Sequence, residues 1–395
     1  MFRNIFTVFL FLATVTANAQ TLLTETEAIS KTLANNKNMN AASLQVKQQQ
    51  QLLKSAINLP NPEFFLESPT GNFYTGSITQ SIEFPSVYSN QYRLQKGQIV
   101  IAQKEKQLTE AALKYRVKLL YLEIQFVDSL VKQLYIQDTL YEKIKTAAIR
   151  QFTAGQIDYL QQAFAETQYG EIHNQYVQAI TRAKSVKAQL QWHTGLKNDF
   201  MVEPLTVSSS IQQTYFLPDS TVLFSNPSVQ LLQQQQLNAK QNIALQKSKA
   251  LPGLAFGYFN QGERDTKWYN RFRFGITIPL WLGQYKSKIN AAKTEQQVIQ
   301  NKQEGLQQEL SLQAINASGE MQSNWQSVQY YQLTGLPKAR EVITTSQRFF
   351  ASGEIDYISL LRNSNDAYAI YLKYLEAIKN YNQSVINYQY LIGQL

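Results

Sequence analysis

The sequence predicts a mainly helical α+β fold in which long, coiled-coil-like helices carry two β-hairpins. Three observations support this class. Apolar residues follow heptad spacing over very long stretches, two pairs of short stretches alternate apolar and polar residues, and the whole arrangement occurs twice in 395 residues. The chain contains no cysteine, so packing without disulfide bonds must hold this fold together.

The first segment, residues 1–19, has the features of a cleavable signal peptide. Arg3 supplies a positive charge, an apolar stretch follows, and Ala17-Asn18-Ala19 fits the small-residue cleavage pattern. The apolar stretch is too short to cross a bilayer as a helix, which disfavours the alternative of an N-terminal membrane anchor. We therefore expect an exported chain that begins near Gln20.

A tandem duplication is indicated by landmarks that recur in one order at offsets of 192 to 198 residues. The landmarks are a Leu-Pro pair (59–60 and 251–252), an Ile-x-x-Pro segment (82–85 and 276–279), a turn (152–159 and 350–357) and a glycine (195 and 393). The duplication predicts a first repeat over 20–205 and a second repeat over 226–395, with a linker over 206–225.

Each repeat contains one predicted β-hairpin, at about 62–84 in the first and about 253–280 in the second. Apolar and polar residues alternate from Ile78 to Phe84 and from Phe272 to Leu280, which is the period of a strand. These strands could instead cover a helical core in a soluble protein. We favour membrane strands because the apolar face is rich in aromatic residues and further aromatic residues lie near the strand ends.

A very long helix is predicted after each hairpin, over about 90–152 and about 284–350, and the second is expected to kink at 335–337. Sixty residues of α-helix span about 90 Å, which suits a wall or a tube better than a globular domain. Two heptad seams in the first helix would let it pack against a neighbour on each side. The seams are Leu113, Val117, Leu120, Ile124, Val127, Val131 and Leu134, and Leu108, Ala112, Tyr115, Leu119, Leu122 and Phe126.

The remaining face of this first long helix is polar, with Lys114, Lys118, Gln125 and Asp128 on it or at its margin. Each long helix is expected to end at a glycine turn and to be followed by a return helix, over about 157–194 and 355–392. Asp158 and Asp356 would lie at the start of the return helices, where a negative charge is favourable. The isoleucine and tyrosine of each turn are not needed for capping, so the turns also suit partner docking.

Four strands per chain cannot close a barrel around a pore, and open strand edges are not tolerated in lipid. The chain is therefore expected to assemble with further copies of itself. Three copies would supply twelve strands, an even number within the range of outer-membrane barrels. The sequence alone requires more than one copy but does not fix three.

The charge pattern and the chemically reactive residue types of the sequence give no indication of a catalytic site. The net charge is +9, but the basic residues are scattered along helices, which favours a solvated surface over a nucleic-acid partner. His173 and His193 lie 20 residues apart without carboxylates at ligand spacing, so a surface role is favoured over metal binding. No catalytic or cofactor motif is recognisable, so an exported enzyme is the least supported interpretation.

Four features of the sequence occur together: the duplication, the hairpins after Leu-Pro, the prolines at the strand-to-helix junctions (Pro85 and Pro279) and the glycine turns. In these features the sequence resembles the TolC-like outer-membrane efflux protein family. The segments 349–357 and 381–384 are similar to the branch that works with heavy-metal pumps of the resistance-nodulation-division (RND) type. The resemblance covers nearly the whole chain beyond residue 19.

This resemblance implies a homotrimer with a twelve-stranded transmembrane β-barrel in outer-membrane lipid and a long periplasmic α-barrel. It also implies that both turns lie at the periplasmic tip, where they contact a membrane-fusion adaptor that links the duct to an inner-membrane RND-type pump. The implied docking residues are Gly155, Gln156, Ile157, Asp158 and Tyr159, with Gly353, Glu354, Ile355, Asp356 and Tyr357.

The gate implied by the resemblance departs from the family pattern. Many relatives have an acidic residue six positions after the tip glycine, where this chain has Gln161 and Ser359. An acidic constriction is therefore in doubt, and Asp158 and Asp356 are candidate substitutes. We expect a passive exit duct in the bacterial outer membrane, and the resemblance to the metal branch implies heavy-metal cations as its cargo. The alternative is an exported periplasmic coiled-coil scaffold without a pore.

Overall fold

The computed structural model describes residues 21–68, 71, 74–208, 222–260 and 267–395. The expected signal peptide, most of the expected linker and the centres of both hairpin turns lie outside the described residues. The mainly α fold class is confirmed, because long helices dominate the described chain and the few strands include two antiparallel hairpins.

The described residues of the first half form four strands, two short helices and two long helices. In chain order these are β1 (Thr21–Leu23), α1 (Glu25–Asn35), α2 (Lys37–Leu53), β2 (Glu63–Glu67), β3 (Thr75–Ile82), α3 (Pro85–Thr153), α4 (Tyr159–Thr194) and β4 (Phe200–Val202). The segment ahead of the first β-hairpin thus contains two separate helices, α1 and α2. Asn36 separates them because its side-chain Oδ1 accepts the N–H groups of Asn38 and Met39 and so starts a new helix.

The second half repeats the sequence of a helix, a hairpin, a long helix and a return helix. Its elements are α5 (Pro227–Ser248), β5 (Gly253–Asn260), β6 (Phe272–Thr277), α6 (Leu282–Tyr330), α7 (Leu336–Ala351) and α8 (Tyr357–Leu391). Short 3-10 turns at Val222–Ser225 and Trp268–Arg271 precede α5 and β6. We refer to α3–α4 as the first hairpin of helices and to α7–α8 as the second hairpin of helices.

Helix α3 is 69 residues long and begins at Pro85, five residues before the predicted start. At the first helical position the backbone N–H has no partner within the helix, so proline loses no hydrogen bond by lacking it. Strand β3 consequently ends at Ile82, and Phe84 is the N-cap of α3 and not part of the predicted strand. Likewise β6 ends at Thr277, so Ile278 and Leu280 lie beyond it.

The predicted interruption of the second long helix is confirmed as a π-helical turn, Tyr331–Gly335, between α6 and α7. Pro337 has no N–H to donate to the carbonyl four residues earlier, and its ring crowds that carbonyl. The backbone widens ahead of the proline, and Leu336 N–H reaches back five residues to the Tyr331 carbonyl.

The two hairpins form one four-stranded antiparallel sheet in the order β2-β3-β5-β6. Strands β3 and β5 pair along seven residues, from Gly76 opposite Asn260 to Ile82 opposite Leu254. The hairpins of the two halves therefore join directly. Strands β2 and β6 are the outer strands of this sheet, and each leaves one edge unpaired within the described residues.

A second, two-stranded sheet was not predicted. Strands β1 and β4 are parallel, and each has three residues. The buried phenol of Tyr121 on α3 holds them, because its hydroxyl donates to the Leu23 carbonyl at 2.8 Å and accepts the Glu203 N–H at 3.1 Å. Burial raises the pKa of Tyr121 to about 12, so the hydroxyl stays protonated as a donor.

The helices pack as a bundle around α3, which contacts α2, α4, α5 and α8. The first predicted seam of α3 is largely buried, with Val117, Ile124 and Val127 almost fully enclosed, whereas the second seam is only partly covered. Within the described residues, no helix combines the length and the apolar character needed to cross a membrane.

The predicted polar face of α3 does not simply face solvent. Lys118 forms an ion pair with Glu25 at 2.7 Å, and Asp128 forms one with Lys187 at 3.1 Å. Gln125 donates to the Glu203 carbonyl at 3.1 Å. This face therefore contacts α1, α4 and the segment after β4, which the heptad pattern of α3 alone does not reveal.

Candidate functional site

Both turns between helices have the same hydrogen-bonded geometry. In the first tip (152–159) Gln156 N–H donates to the Gln151 carbonyl, and in the second tip (350–357) Glu354 N–H donates to the Phe349 carbonyl, both at 2.8 Å. Gly155 and Gly353 have φ of +69° and +77°, the left-handed conformation that ends a helix in this motif. Both glycines thus end their helices, as predicted.

Each return helix begins at an aspartate that caps it. Asp158 Oδ1 accepts Gln161 N–H and Asp356 Oδ1 accepts Ser359 N–H, each at 2.8 Å. The hydroxyl and the N–H of Ser359 hold the pKa of Asp356 below its usual range. The two aspartates are N-caps just before the helices, where a negative charge meets the unpaired N–H groups.

The two hairpins of helices share one apolar cluster near their tips, which we call the tip core. Residues of α3, α4 and α8 form it: Tyr141, Ile144, Ala148, Ala165, Ile172, Tyr357, Leu360, Leu361 and Tyr368. Ile157 and Ile355 of the two turns pack against it and are partly buried. The isoleucines therefore help to hold the tips together, in addition to any role in docking.

The two tip tyrosines differ sharply although their local sequences are nearly identical. Tyr159 is 66% exposed, whereas Tyr357 is 5% exposed and lies in the tip core. In the single chain Tyr357 packs with residues of α3 and α4, and a role for it in docking stays a prediction. Leu160, which the sequence analysis did not single out, is 72% exposed beside Tyr159.

The candidate gate residues are divided between caps and helix surfaces. Asp158 and Asp356 are exposed, and each already holds a backbone N–H of the residue three positions later. Gln161 and Ser359 are partly buried and supply those N–H groups. Each candidate aspartate is thus hydrogen-bonded to the residue at the expected gate position, Gln161 or Ser359. The gate itself stays a prediction.

A polar contact joins the two hairpins of helices inside the tip core. Tyr141 Oη donates to Asn365 Oδ1 at 2.5 Å, and Asn365 Nδ2 donates to Gln168 Oε1 at 2.6 Å. Burial raises the pKa of the Tyr141 phenol, and the nearby Tyr368 and Asp366 raise it further. The hydroxyl therefore keeps its proton and acts as a hydrogen-bond donor. The chain Tyr141–Asn365–Gln168 fixes α8 against both α3 and α4.

The four-stranded sheet has one broad apolar face. Residues that are directly opposite in neighbouring strands share a face, so the register places Phe64, Ile78, Tyr258 and Phe272 in one row. Phe256 and Phe274 form a second row with ring centroids 5.5 Å apart. Phe274 and Phe64 are 78% and 70% exposed, and the other apolar side chains on this face range from exposed to partly buried. Such a patch indicates contact with lipid or protein.

The opposite face of the sheet consists mainly of polar or small residues, with Phe65 and Phe259 as the large apolar exceptions. It includes Glu63, Thr79, Ser81, Ala255 and Gly275, as the same register shows. Its Arg273 guanidinium lies 3.6 Å from the centroid of the Phe259 ring, which partly covers the charge. The sheet therefore has one face suited to an apolar surrounding and one suited to water.

The strand-to-helix junctions lie beside a cavity of about 260 Å³. Pro85 begins α3, and Pro279 lies between β6 and α6, so both prolines are at junctions as expected. The cavity is lined by residues at strand ends, such as Ile82 and Leu254, and at a helix start, such as Val87. The exposed Trp281, the N-cap of α6, is adjacent in sequence to this junction.

Several charged groups elsewhere in the described residues form ion pairs. Glu123 on α3 bridges Arg182 on α4 and Lys379 on α8, the latter at 2.7 Å. His173 lies on the surface with Nδ1 3.0 Å from Asp138 Oδ1. In the part of the chain that the structure describes, no group of three or more histidine, aspartate or glutamate side chains could hold a metal ion.

No protein-family model matches the chain, and no curated protein matches it. Solved structures do match it along almost its whole length. CusC, studied for its folding and transmembrane channel formation, has a TM-score of 0.76 at 16% identity and covers 93% of this chain and 92% of its own. A membrane protein from Pseudomonas aeruginosa gives 0.78 at 11%, with coverages of 93% and 92%. The CmeC outer membrane channel of Campylobacter jejuni gives 0.72 at 14%, with 94% and 85%.

At these identities the likeness establishes the fold. The chain has the fold of TolC-like outer-membrane channels, as the sequence resemblance predicts. The sequence analysis did not anticipate that Leu160 is uncovered beside Tyr159, or that a phenol from α3 holds the β1–β4 sheet. No local pattern signals either feature, since both depend on which helix lies nearby.

Proposed function

We propose that this chain, with its TolC-like fold, is the outer-membrane channel component of a tripartite efflux system and acts as a passive exit duct, not as an enzyme. The observation that carries the proposal is the four-stranded sheet, which has an uncovered aromatic face and, among the described residues, two unpaired edges. This sheet is attached to a very long helical bundle. A sheet of this kind is stable in lipid only when its edges are closed by further strands.

Closure by three copies gives a homotrimer with a twelve-stranded barrel in outer-membrane lipid. The polar face of the sheet, with Thr79 and Arg273, would then line the lumen, and the face with Phe274 would contact lipid. The helices would continue as a periplasmic α-barrel. The solved structures of similar fold include proteins described as outer-membrane channels, which supports this assembly and location.

The tips are the proposed contact for a periplasmic membrane-fusion adaptor, which would connect the duct to an inner-membrane RND-type pump. The capped, glycine-containing turns 152–159 and 350–357 present exposed backbone and polar groups for this contact. Heavy-metal cations are the proposed cargo, on the basis of the sequence resemblance to the metal branch and the presence of CusC among the similar structures. A cleaved signal peptide over 1–19 would export the chain.

Fractionation and crosslinking of the full-length protein test the location and the assembly. We expect it in outer-membrane fractions, with crosslinked trimers, and we expect it to form conducting pores after reconstitution in bilayers. Deletion of 63–84 together with 254–280 should abolish membrane insertion. The alternative, an exported periplasmic coiled-coil scaffold, predicts the same soluble location with and without these residues, and that result would overturn the proposal.

Metal sensitivity of a deletion strain tests the cargo separately. If metal cations are exported, loss of the gene should lower the tolerated concentration of a metal salt, and complementation should restore it. A deletion strain that is sensitive to dyes or drugs but not to metals would refute the metal assignment and leave the duct intact.

A further inference from the structure

The helical segments next to the sheet carry basic residues and no acidic ones. The segments are 37–54, 85–104, 227–249 and 282–294, and each contains three lysine or arginine residues. Of the 37 basic and 28 acidic residues of the chain, 25 basic and all 28 acidic residues lie elsewhere. The positive charge that is scattered along the sequence is therefore concentrated in one part of the molecule.

All four segments meet the sheet at the same end. Helices α2 and α5 lead into β2 and β5, and helices α3 and α6 follow β3 and β6. The end of β3 at Ile82 is directly opposite the start of β5 at Leu254. The four helices pack side by side, with α3 between α2 and α5, and α5 between α3 and α6. We call these twelve residues the basic band, since they lie together beside one end of the sheet.

Two lysines of the basic band line a groove between α5 and α6. Lys249 and Lys288 line it together with Asn242 and Gln246, and its volume is about 350 Å³. Both lysines are exposed, and neither forms an ion pair within the described residues. Glu295 lines the groove two helical turns further from the sheet, where its carboxylate accepts a hydrogen bond from Asn242. The end of the groove near the sheet is thus suited to an anion.

An apolar surface adjoins the groove, because Lys249 also lines the cavity at the strand-to-helix junctions. Ile82, Leu254 and Ile276 are directly opposite one another and form the last row of the apolar face of the sheet. Ile82 and Leu254 line the junction cavity together with Phe84. The apolar face of the sheet therefore continues into a cavity that shares Lys249 with the cationic groove.

We infer that this groove binds the headgroup of an anionic phospholipid, with the phosphate at Lys249 and Lys288 and an acyl chain along Ile82 and Leu254. The inference rests on the proposed function, because insertion of the sheet in lipid is what places this end of the sheet at the bilayer surface. A phospholipid has its apolar and charged parts in the same order as the sheet and the groove. Lysine side chains at such a boundary keep their charge at the headgroups.

The basic band favours an anionic headgroup over a zwitterionic one. Lys247 and Lys286 are exposed and lie two residues from Lys249 and Lys288 along the chain, so the groove lysines have further positive charges nearby. Glu83 also lines the junction cavity and opposes this attraction, but the basic residues outnumber it. Each basic residue near an anionic bilayer surface favours contact with that surface by about fivefold.

Quenching of Trp281 fluorescence by brominated lipids tests the site in a bilayer. Trp281 is the exposed N-cap of α6, the helix that carries Lys288. Replacement of Trp268 with phenylalanine leaves Trp281 as the tryptophan next to the sheet, since Trp192 and Trp325 lie within long helices. The full chain is reconstituted in phosphatidylcholine vesicles in which one lipid, either phosphatidylglycerol or phosphatidylcholine, is brominated.

Brominated phosphatidylglycerol should quench Trp281 more strongly than brominated phosphatidylcholine does. Two lysines at about fivefold each predict a relative association constant of roughly twentyfold. Added glycerol 3-phosphate should not displace the lipid, because this soluble anion has the phosphate but no acyl chain for the apolar cavity.

Substitutions with matched controls assign the preference to the groove. Lys249→Gln/Lys288→Gln should remove most of the preference, and Lys249→Arg/Lys288→Arg, which retains both charges, should keep it. The control Lys132→Gln/Lys143→Gln removes two exposed charges from α3, at least about 70 Å along the helix from its start, and should change nothing. Glu83→Gln should raise the preference, because it removes the opposing charge.

The results separate the lipid site from the proposed function. Equal quenching by the two lipids, a preference that survives Lys249→Gln/Lys288→Gln, or an equal loss in Lys132→Gln/Lys143→Gln would overturn the site and leave the duct standing. Displacement by glycerol 3-phosphate would assign the groove to a soluble anion and would also overturn the lipid site. Absence of Trp281 quenching by either lipid would show that the sheet is not in the bilayer, which overturns the proposed function itself.

Discussion

At the scale of single residues, the tips depend on a few backbone contacts with clear physical roles. Asp356 satisfies an N–H group at the start of α8 that no helical carbonyl can reach. Gly353 adopts a backbone conformation that other residues avoid, and no atom lies within 4 Å of the position where its Cβ would be. These positions can therefore be tested without disturbing the packing around them.

Replacement of Asp356 with alanine should destabilise the start of α8 by about 1 kcal/mol, the usual cost of losing an N-cap. The ionised carboxylate is the better acceptor, and the folded-state pKa of Asp356 is lowered. Its contribution is therefore present above the unfolded-state value of about 3.9 and is lost as the pH falls through the lower folded-state value. Hydrogen exchange around Ser359 between neutral and strongly acidic pH measures both effects.

Asp356→Asn is the control for the charge, because asparagine caps helices well without titrating. We expect it to protect Ser359 at neutral pH and to show no acid-dependent loss at this position. If the amide hydrogens around Ser359 exchange as slowly in Asp356→Ala as in the natural chain, the cap does not stabilise the start of α8.

Gly353→Ala should lower the stability of the second tip by about 1–2 kcal/mol, since an L-residue is forced into the left-handed region. The space is open, so the cost is one of backbone conformation alone. The matched control, Gly170→Ala within α4, also meets open space and should raise stability by roughly 0.5–1 kcal/mol. Thermal unfolding followed by circular dichroism in detergent should show shifts of opposite sign.

At the scale of elements, the two hairpins of helices are joined by an apolar core that contains one polar chain. Tyr141, Asn365 and Gln168 connect α3, α8 and α4 through two short hydrogen bonds. Further along α3, the carboxylate of Glu123 joins α4 and α8 through Arg182 and Lys379. The position of α8 is thus fixed at two levels along the bundle.

Tyr141→Phe should cost about 1 kcal/mol, because it leaves the partly buried Asn365 Oδ1 without this donor. The ring itself remains, so the apolar packing is unchanged. Tyr135→Phe on the same helix is the control, since Tyr135 is more than half exposed and should change stability little. Equal thermal unfolding midpoints for the two variants would show that the Tyr141 hydroxyl is not a significant contact.

At the scale of the whole molecule, the sheet is the part that a single chain leaves unfinished. Strands β2 and β6 have unpaired edges within the described residues, and the face with Phe274 is uncovered. The helical bundle, in contrast, has several buried clusters of its own. Assembly is therefore expected to be required mainly by the strands and to be extended by the helices.

Phe274→Arg should prevent stable insertion in the outer membrane, because a charge on the lipid face costs about 2–4 kcal/mol at the bilayer centre. Thr79→Lys places a charge on the opposite face of the sheet and should be tolerated. Heat-resistant trimers in membrane fractions provide the measurement. If both variants insert equally well, the two faces of the sheet have been assigned incorrectly.

The sequence by itself determined the elements whose signals are local and repeated. Strand β5 begins at Gly253, where the second β-hairpin is predicted to begin, and α4 and α8 begin within two residues of the predicted starts. The π-helical turn ahead of Pro337 lies where a kink was expected. Alternation, heptad spacing, glycine turns and proline act over a few residues, so they can be read from the chain alone.

Only the tertiary structure decided how equivalent segments are used. Tyr159 and Tyr357 each follow an Ile-Asp pair in nearly identical turns, yet only Tyr357 is buried, because it packs with residues of α3 and α4. The β1–β4 sheet is likewise invisible in the sequence, since its three-residue strands pair across about 180 residues and are held by Tyr121. Burial depends on contacts between distant parts of the chain, and no local pattern contains that information.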